Sequence, residues 1–145
     1  MTLLHLQLFW GESQQTFLGL DELPELAELS LRQKSDLHAW YSTRRKILKH
    51  EAHSQPWVKV AAASEAIEIA LTPSGSATAQ CLFGTGISAG SWNIQDGVLF
   101  IQLQDEQTLW EYRVVGNALS NIHSAAEYIN GKPHGMVKLI QVKPR

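Results

Sequence analysis

Residues 92–114 read WNIQDGVLFIQLQDEQTLWEYRV, and this stretch decides the fold. Apolar and polar side chains alternate on both sides of Asp96-Gly97, a dipeptide typical of two-residue β-hairpin turns. A turn there creates two cross-strand pairs whose members are all apolar: Ile94 with Leu99, and Trp92 with Ile101. Register and burial therefore agree, and they predict two antiparallel strands with a common buried face.

A third strand follows the polar segment QDEQ at residues 104–107. A four-residue loop at that segment keeps the alternation in phase and predicts three further pairs: Leu103 with Thr108, Ile101 with Trp110, and Leu99 with Tyr112. The three strands then turn one continuous set of side chains towards a shared interior: Trp92, Ile94, Leu99, Ile101, Leu103, Trp110, Tyr112 and Val114.

The next turn signal, Gly116-Asn117, leaves two alternatives open. A two-residue loop there brings Asn121 and His123 beside the aromatic side chains of the preceding strand. An apolar interior with a few directed polar groups is typical of a cavity that holds a small molecule. A β-bulge would instead slip the register and bury Ile122.

The first part of the chain predicts one strand and two helices. Leucine alternates with other residues in LLHLQLFW at 3–10, which indicates a strand and a following loop within residues 1–20. Residues 21–55 show helical spacing instead. Asp21 is the expected N-cap of the first helix, and Ser35-Asp36 offers the cap of the second. The second helix would present one apolar stripe: Leu37, Trp40, Tyr41, Ile47 and Leu48.

Residues 56–145 read as short strands and tight turns, with Asn130-Gly131 as a further hairpin signal. A chain of 145 residues is a natural size for one domain with one core. We therefore expect a single α+β domain over residues 1–145. Its architecture would be a strongly curved antiparallel β-meander or small barrel, with an N-terminal strand and a two-helix insert packed on one face or opening.

Composition narrows the classes of function. A hydrophobic content of 44% and a charged content of 18% are globular values, and a net charge of −2 gives no general attraction to nucleic acid. No apolar run approaches the ~20 residues that a membrane-spanning helix needs. Cys81 is the single cysteine, which excludes an internal disulfide. Because residues 1–10 lack the features of a signal peptide, a cytoplasmic location is expected.

The stretch 82–119 resembles small lipocalin-like (calycin) β-barrel domains. Three segments and Leu119 carry the resemblance: Gly90-Ser91-Trp92-Asn93-Ile94, Asp96-Gly97-Val98-Leu99, and Tyr112-Arg113-Val114-Val115. The order of one strand, two helices and a meander is also similar to the intracellular fatty-acid-binding proteins, in which the helix pair caps the mouth of the barrel. The basic-and-tyrosine carboxylate clamp of that family has no counterpart in the last strand, MVKLI at 136–140, so the resemblance implies the fold and not a fatty-acid ligand.

The first functional hypothesis is a non-catalytic binding protein whose barrel holds a small, largely apolar molecule. Trp92, Trp110 and Tyr112 would line the cavity, and Asn121 and His123 would orient the ligand. The sequence contains no motif for a cofactor or a metal ion, and none is expected.

Two other hypotheses remain open. The chain could be a protein-interaction module, such as a small cytoplasmic inhibitor or immunity protein, that uses a basic surface at Arg44, Arg45, Lys46 and Lys49. It could also be a small enzyme with His123 as a general base. A non-catalytic role is favoured because no catalytic motif is present.

Overall fold

The structure, a computed structural model, describes residues 1–60, 66–81 and 87–142. Its helices are α1 (Leu3–Gln14), α2 (Leu31–Ser42) and α3 (Lys49–Ser54), with a 3-10 turn at Leu26–Glu28. Its strands are β1 (Arg44–Arg45), β2 (Trp57–Val60), β3 (Ala66–Leu71), β4 (Ser76–Cys81), β5 (Ile87–Gln95), β6 (Val98–Gln104), β7 (Leu109–Asn117), β8 (Ile122–Ile129) and β9 (Lys132–Gln141). Segment 82–86, which opens the stretch compared with lipocalin-like domains, lies outside the described residues.

Eight of the nine strands form a closed antiparallel barrel. Each strand from β2 to β9 pairs with the next one along the chain, and β2 also pairs with β9, so the meander closes on itself. The remaining strand, β1, pairs with the end of β7. Closure leaves the eight barrel strands without a free edge. The expected α+β class and small antiparallel barrel are confirmed.

The expected N-terminal strand is wrong, because residues 3–14 form α1. This helix lies between the outer wall of the barrel and α2. Leu4 and Leu8 pack against the barrel, whereas Leu6 and Phe9 pack against α2 and the segment before it. A helix that is buried on most sides has no single apolar stripe. Its leucines at alternate positions therefore gave the two-residue period that is typical of a strand.

The two expected helix starts at Asp21 and Ser35-Asp36 are also wrong. The capped helix is α2, whose N-cap Ser30 accepts a hydrogen bond from the Gln33 amide at 3.1 Å. The Gln33 side chain accepts one in return from the Ser30 amide at 2.9 Å, which completes a capping box. Because α2 ends at Ser42, the expected apolar stripe does not continue through Ile47 and Leu48.

The hairpin of β5 and β6 has the expected register, with Ile94 opposite Leu99 and Trp92 opposite Ile101. Asp96 and Gly97 both have positive φ, as a two-residue turn of this type requires.

The β6–β7 register differs from the expected one by two residues, so that Leu103 pairs with Trp110 and Ile101 with Tyr112. Asp105 causes the shift, because its carboxylate accepts the amides of Gln107 and Thr108 and starts the turn one residue later. A shift of two leaves every side chain on its expected face.

Both expectations for the Gly116-Asn117 turn are wrong in register. Gly116 and Asn117 extend β7 and pair with β1, so the chain turns only after them. Ile122 is 45% exposed and His123 is fully buried, which excludes the bulge. The interior is therefore partly polar along β8, as the alternative to the bulge required.

The two ends of the barrel differ. Residues 47–54 cover the end where β2 begins, and we call it the closed end: Ile47 and Ala52 belong to the apolar cluster that fills the barrel. The opposite end, where β6 turns into β7 and β8 into β9, we call the distal end. The insert therefore packs both on an outer face, through α2, and on one opening, through α3.

Candidate functional site

Two tryptophan side chains, Trp57 and Trp92, fill the closed end of the barrel. Trp57 is fully buried, and its indole Nε1 donates to the backbone oxygen of Ala52 in α3 at 2.8 Å. Trp92 donates in the same way to the oxygen of Thr72 at 2.8 Å. Both indole N–H groups are satisfied by the protein itself, so these two side chains hold the closed end together.

His123 joins a hydrogen-bonded network at the same end. Its Nδ1 accepts from the amide of Asn117 at 2.8 Å, which leaves Nε2 as the donor to Gln141 Oε1 at 2.7 Å. Gln141 donates in turn to Glu51, and Arg45 pairs with Glu51 at 2.6 Å. Burial lowers the pKa of His123, so the ring is neutral with both nitrogens engaged.

A charged cluster lies inside the barrel nearer the distal end. Lys59 on β2, Tyr112 on β7 and Glu127 on β8 all point inwards and are buried. The Lys59 Nζ lies 2.5 Å from Glu127 Oε2 and 5.3 Å from the centre of the Tyr112 ring. At the rim, His134 Nδ1 lies 2.8 Å from Glu127 Oε1. We call Lys59, Tyr112 and Glu127 the polar cluster.

The polar cluster carries a full ion pair. Burial alone would raise the pKa of the Glu127 carboxyl, but the Lys59 ammonium and the Tyr112 hydroxyl outweigh it and hold that pKa below its ordinary value. Burial, reinforced by the charge of Glu127, raises the pKa of the Tyr112 hydroxyl. Glu127 is therefore ionised and Tyr112 neutral. The Lys59 ammonium therefore occupies Oε2 of Glu127, and His134 lies beside Oε1.

A cavity of 430 Å³ adjoins Glu127, between the end of β2 and the first half of β9. Its lining is mostly apolar and consists of Val60, Glu127, His134, Gly135, Met136, Val137 and Lys138. Gly135 pairs with Glu127 across the β8–β9 ladder, and a Cβ atom placed on Gly135 would meet no atom of the described residues within 4 Å. The glycine thus leaves room beside a buried carboxylate, and we call this space the distal cavity.

The structure separates the residues expected to bind a ligand. Trp110 and Tyr112 lie on β7 towards the distal end, and Trp92 and His123 lie at the closed end. Asn121 lies in the β7–β8 connection, where its backbone oxygen accepts from Gln141. Trp92 and Trp110 do face the same interior, as the alternation predicts. Whether these five residues contact a ligand stays a prediction.

Three of the four basic residues expected on an interaction surface, Arg44, Arg45 and Lys46, line one groove outside the barrel, and whether they bind a partner stays a prediction. Arg45 turns to Glu51 at the closed end, and Lys46 lies 3.4 Å from Asp96 on the β5–β6 turn. Lys49 begins α3, and Arg44 lies on the outer side of the barrel beside the end of β7. Opposite charges already neutralise two of the four.

Sequence reasoning missed Lys59 and Gly135. The signal for Lys59 was present, because residues two apart in a strand share a face and Trp57 is an obvious core residue. Gly135 carries no such signal, since a glycine in a strand is equally compatible with a bulge or with a close backbone contact.

Comparisons with protein-family models, with curated proteins and with solved structures find no match to this chain. The geometry itself defines the class: a closed eight-stranded antiparallel barrel with helices outside it and a buried ion pair within.

Two observations concern membranes and metals. No helix in residues 1–60, 66–81 and 87–142 is long and apolar enough to cross a bilayer. In the same residues, no three side chains of His, Cys, Asp or Glu are arranged to hold a metal ion. A cytoplasmic location stays a prediction.

Proposed function

We propose that this protein is a non-catalytic binding protein with a lipocalin-like barrel, and that it holds a small, largely apolar molecule in the distal cavity. The closed up-and-down order of β2 to β9 supports the comparison with lipocalin-like domains. The observation that carries the proposal is the space that the described residues leave at Gly135, next to the ionised, buried Glu127. A volume of 430 Å³ lies within the range of small-molecule sites.

The chemistry of the distal cavity selects the kind of ligand. Val60, Met136 and Val137 offer apolar contact, so most of the ligand would be apolar. A carboxylate has more acceptor sites than Lys59 and His134 fill, so a hydroxyl or amine on the ligand can also donate to Glu127.

A carboxylate ligand fits the distal cavity poorly. Lys138, which lines the cavity, already pairs with Glu12 at 2.7 Å, and the nearby Lys59 pairs with Glu127 at 2.5 Å, so neither lysine offers a free positive charge. A second carboxylate beside the ionised Glu127 would meet like-charge repulsion in a buried site. The proposed ligand is therefore neutral or cationic, unlike the ligands of fatty-acid-binding proteins.

Filling the distal cavity tests the proposal. Gly135→Phe places a ring in this space, and neither the φ of Gly135 nor any neighbouring atom of residues 1–60, 66–81 and 87–142 opposes its Cβ atom. We expect this variant to bind the neutral fluorescent probe N-phenyl-1-naphthylamine at least about tenfold more weakly than the native chain, because the ring occupies the ligand volume. Fluorescence titration measures both dissociation constants.

Thr78→Phe is the matched control, because Thr78 is exposed on β4 and the same ring there adds only outer surface. Its probe affinity should equal that of the native chain. If Gly135→Phe folds and binds the probe as tightly as Thr78→Phe does, the distal cavity is not the binding site.

A further inference from the structure

A second cavity, of 700 Å³, lies outside the barrel. It is bounded by the start of α1, the end of α2 and the outer faces of β5 to β7. The lining residues that matter here are Leu4, Arg44, Asp96, Val98, Phe100 and Arg113. We call this space the outer groove. It shares no lining residue with the distal cavity, which lies at β2, β8 and β9.

Arg44 is held firmly at the outer groove but is not neutralised. Its guanidinium Cζ lies 4.7 Å above the ring of Trp40, and Nη2 donates to Thr43 Oγ1 at 2.8 Å. The Nε atom is buried and has no hydrogen-bond acceptor in the described part of the chain. A buried donor without an acceptor is costly unless something outside the protein satisfies it.

Arg113 supplies a second charge on the outer face of β7. Its Cζ lies 4.2 Å from the centre of the Tyr128 ring, and Nη1 donates to the Tyr128 hydroxyl at 3.4 Å. Within residues 1–60, 66–81 and 87–142, neither Arg44 nor Arg113 has a carboxylate at ion-pair distance.

The surroundings add positive potential to the outer groove. Asp96 is the one acidic side chain in its described lining, and Lys46 already approaches it to 3.4 Å. The first turn of α1 faces the groove and carries no acidic side chain, so the positive end of the helix dipole is not offset there.

Apolar side chains form the rest of the outer groove. Leu4 packs on Val115 against the barrel, and Val98 and Phe100 are half-buried on the outer face of β6. An apolar floor next to two fixed guanidinium groups is complementary to a molecule with an apolar body and one negative charge.

We propose that the outer groove binds a small organic anion from solution, with its negative group on Arg44 and Arg113 and its apolar body against Val98 and Phe100. Arg44 gains most from such a ligand. Burial lowers the pKa of its guanidinium and Glu12 only partly offsets this, whereas a bound anion favours the charged form.

Two probes with the same apolar body, octanoate and 1-octanol, test the proposal by NMR titration of the full isotope-labelled chain. We expect octanoate to bind about tenfold or more tightly than octanol, with the largest amide shifts at Val98 and Val115. Arg44→Gln should weaken octanoate about tenfold and leave octanol unchanged. Arg113→Gln should do the same, so the test does not depend on the folding of one variant.

Arg32→Gln is the control, because Arg32 is an almost fully exposed arginine on α2 outside the groove, with its side chain 92% exposed. It should bind octanoate as the native chain does. Three results would overturn the proposal. They are equal affinity for both probes, an octanoate affinity that is unchanged in Arg44→Gln and Arg113→Gln, and amide shifts centred on Gly135 instead of Val98. The last result would place the anion in the distal cavity, against the proposed function as well.

Discussion

Replacing Glu127 by glutamine is expected to lower the free energy of unfolding by about 3–5 kcal/mol. Lys59 and Glu127 are both buried and lie 2.5 Å apart, so the variant leaves an ammonium inside the barrel without its counter-charge. Urea unfolding of the native chain and of Glu127→Gln measures the difference. Glu68→Gln is the control, because Glu68 is exposed on β3, and it should change stability by less than about 0.5 kcal/mol.

Removing both charges should restore much of the loss. In Lys59→Met/Glu127→Leu, apolar side chains of similar volume replace the ion pair, and neither desolvated charge remains. We expect the double variant to be clearly more stable than Glu127→Gln. A double variant as unstable as the sum of its single variants would show that the two groups do not interact across the interior.

The same comparison has a pH dependence of known sign. The folded pKa of Glu127 lies below its ordinary value of 4.5, so its ionised form stabilises the fold above that pH. This contribution decreases as the pH falls from about 4.5 through the lower folded pKa. The stability difference between the native chain and Glu127→Gln should therefore be full at neutral pH and shrink in acid. A difference that stays constant down to the folded pKa would contradict the ion pair.

Replacing His123 by alanine is expected to cost about 2–4 kcal/mol of stability, whereas Ile122→Ala should cost less than about 1 kcal/mol. The neighbouring positions face opposite sides of β8, with His123 fully buried and Ile122 45% exposed. His123→Ala removes the acceptor of the Asn117 amide and the donor to Gln141, and it also leaves a cavity.

Thermal or urea unfolding of these two variants checks the register of β8 directly. The order of the two effects matters more than their size. If Ile122→Ala were the costlier change, β8 would have slipped by one residue, and Glu127 would no longer face the interior.

The central hairpin could be predicted from the sequence because two independent constraints coincide there. The Asp96-Gly97 turn fixes which residues pair, and alternation fixes which side is buried, so one register satisfies both. The observed β6–β7 register differs from the expected one by two residues, and every side chain keeps its face. The hydrogen bonds of the Asp105 side chain decide where that turn begins, and alternation does not reveal them.

The helices could not be placed in the same way. Residues 3–14 are enclosed by the barrel wall on one side and by α2 on the other, so burial there has no helical period to detect. Gly116-Asn117 looked like a turn because its partner strand, β1, has only two residues and leaves no pattern in the sequence.

The polar cluster depends on contacts between distant parts of the chain. Lys59 could be placed on the inner face of β2 because it lies two residues after Trp57. Its partner Glu127 belongs to β8, near the other end of the meander, and comes close to Lys59 only because β2 pairs with β9. Only barrel closure brings the two charges together, and alternation along a single strand does not reveal such a pair.

Native mass spectrometry of the full chain, purified without denaturation from the organism that makes it, tests the occupied distal cavity most directly. We predict that the native chain carries one neutral or cationic small molecule that is released on denaturation, and that Gly135→Phe prepared in the same way carries none. A native chain without any such mass, or a Gly135→Phe chain with the same bound mass, would contradict a ligand in the distal cavity.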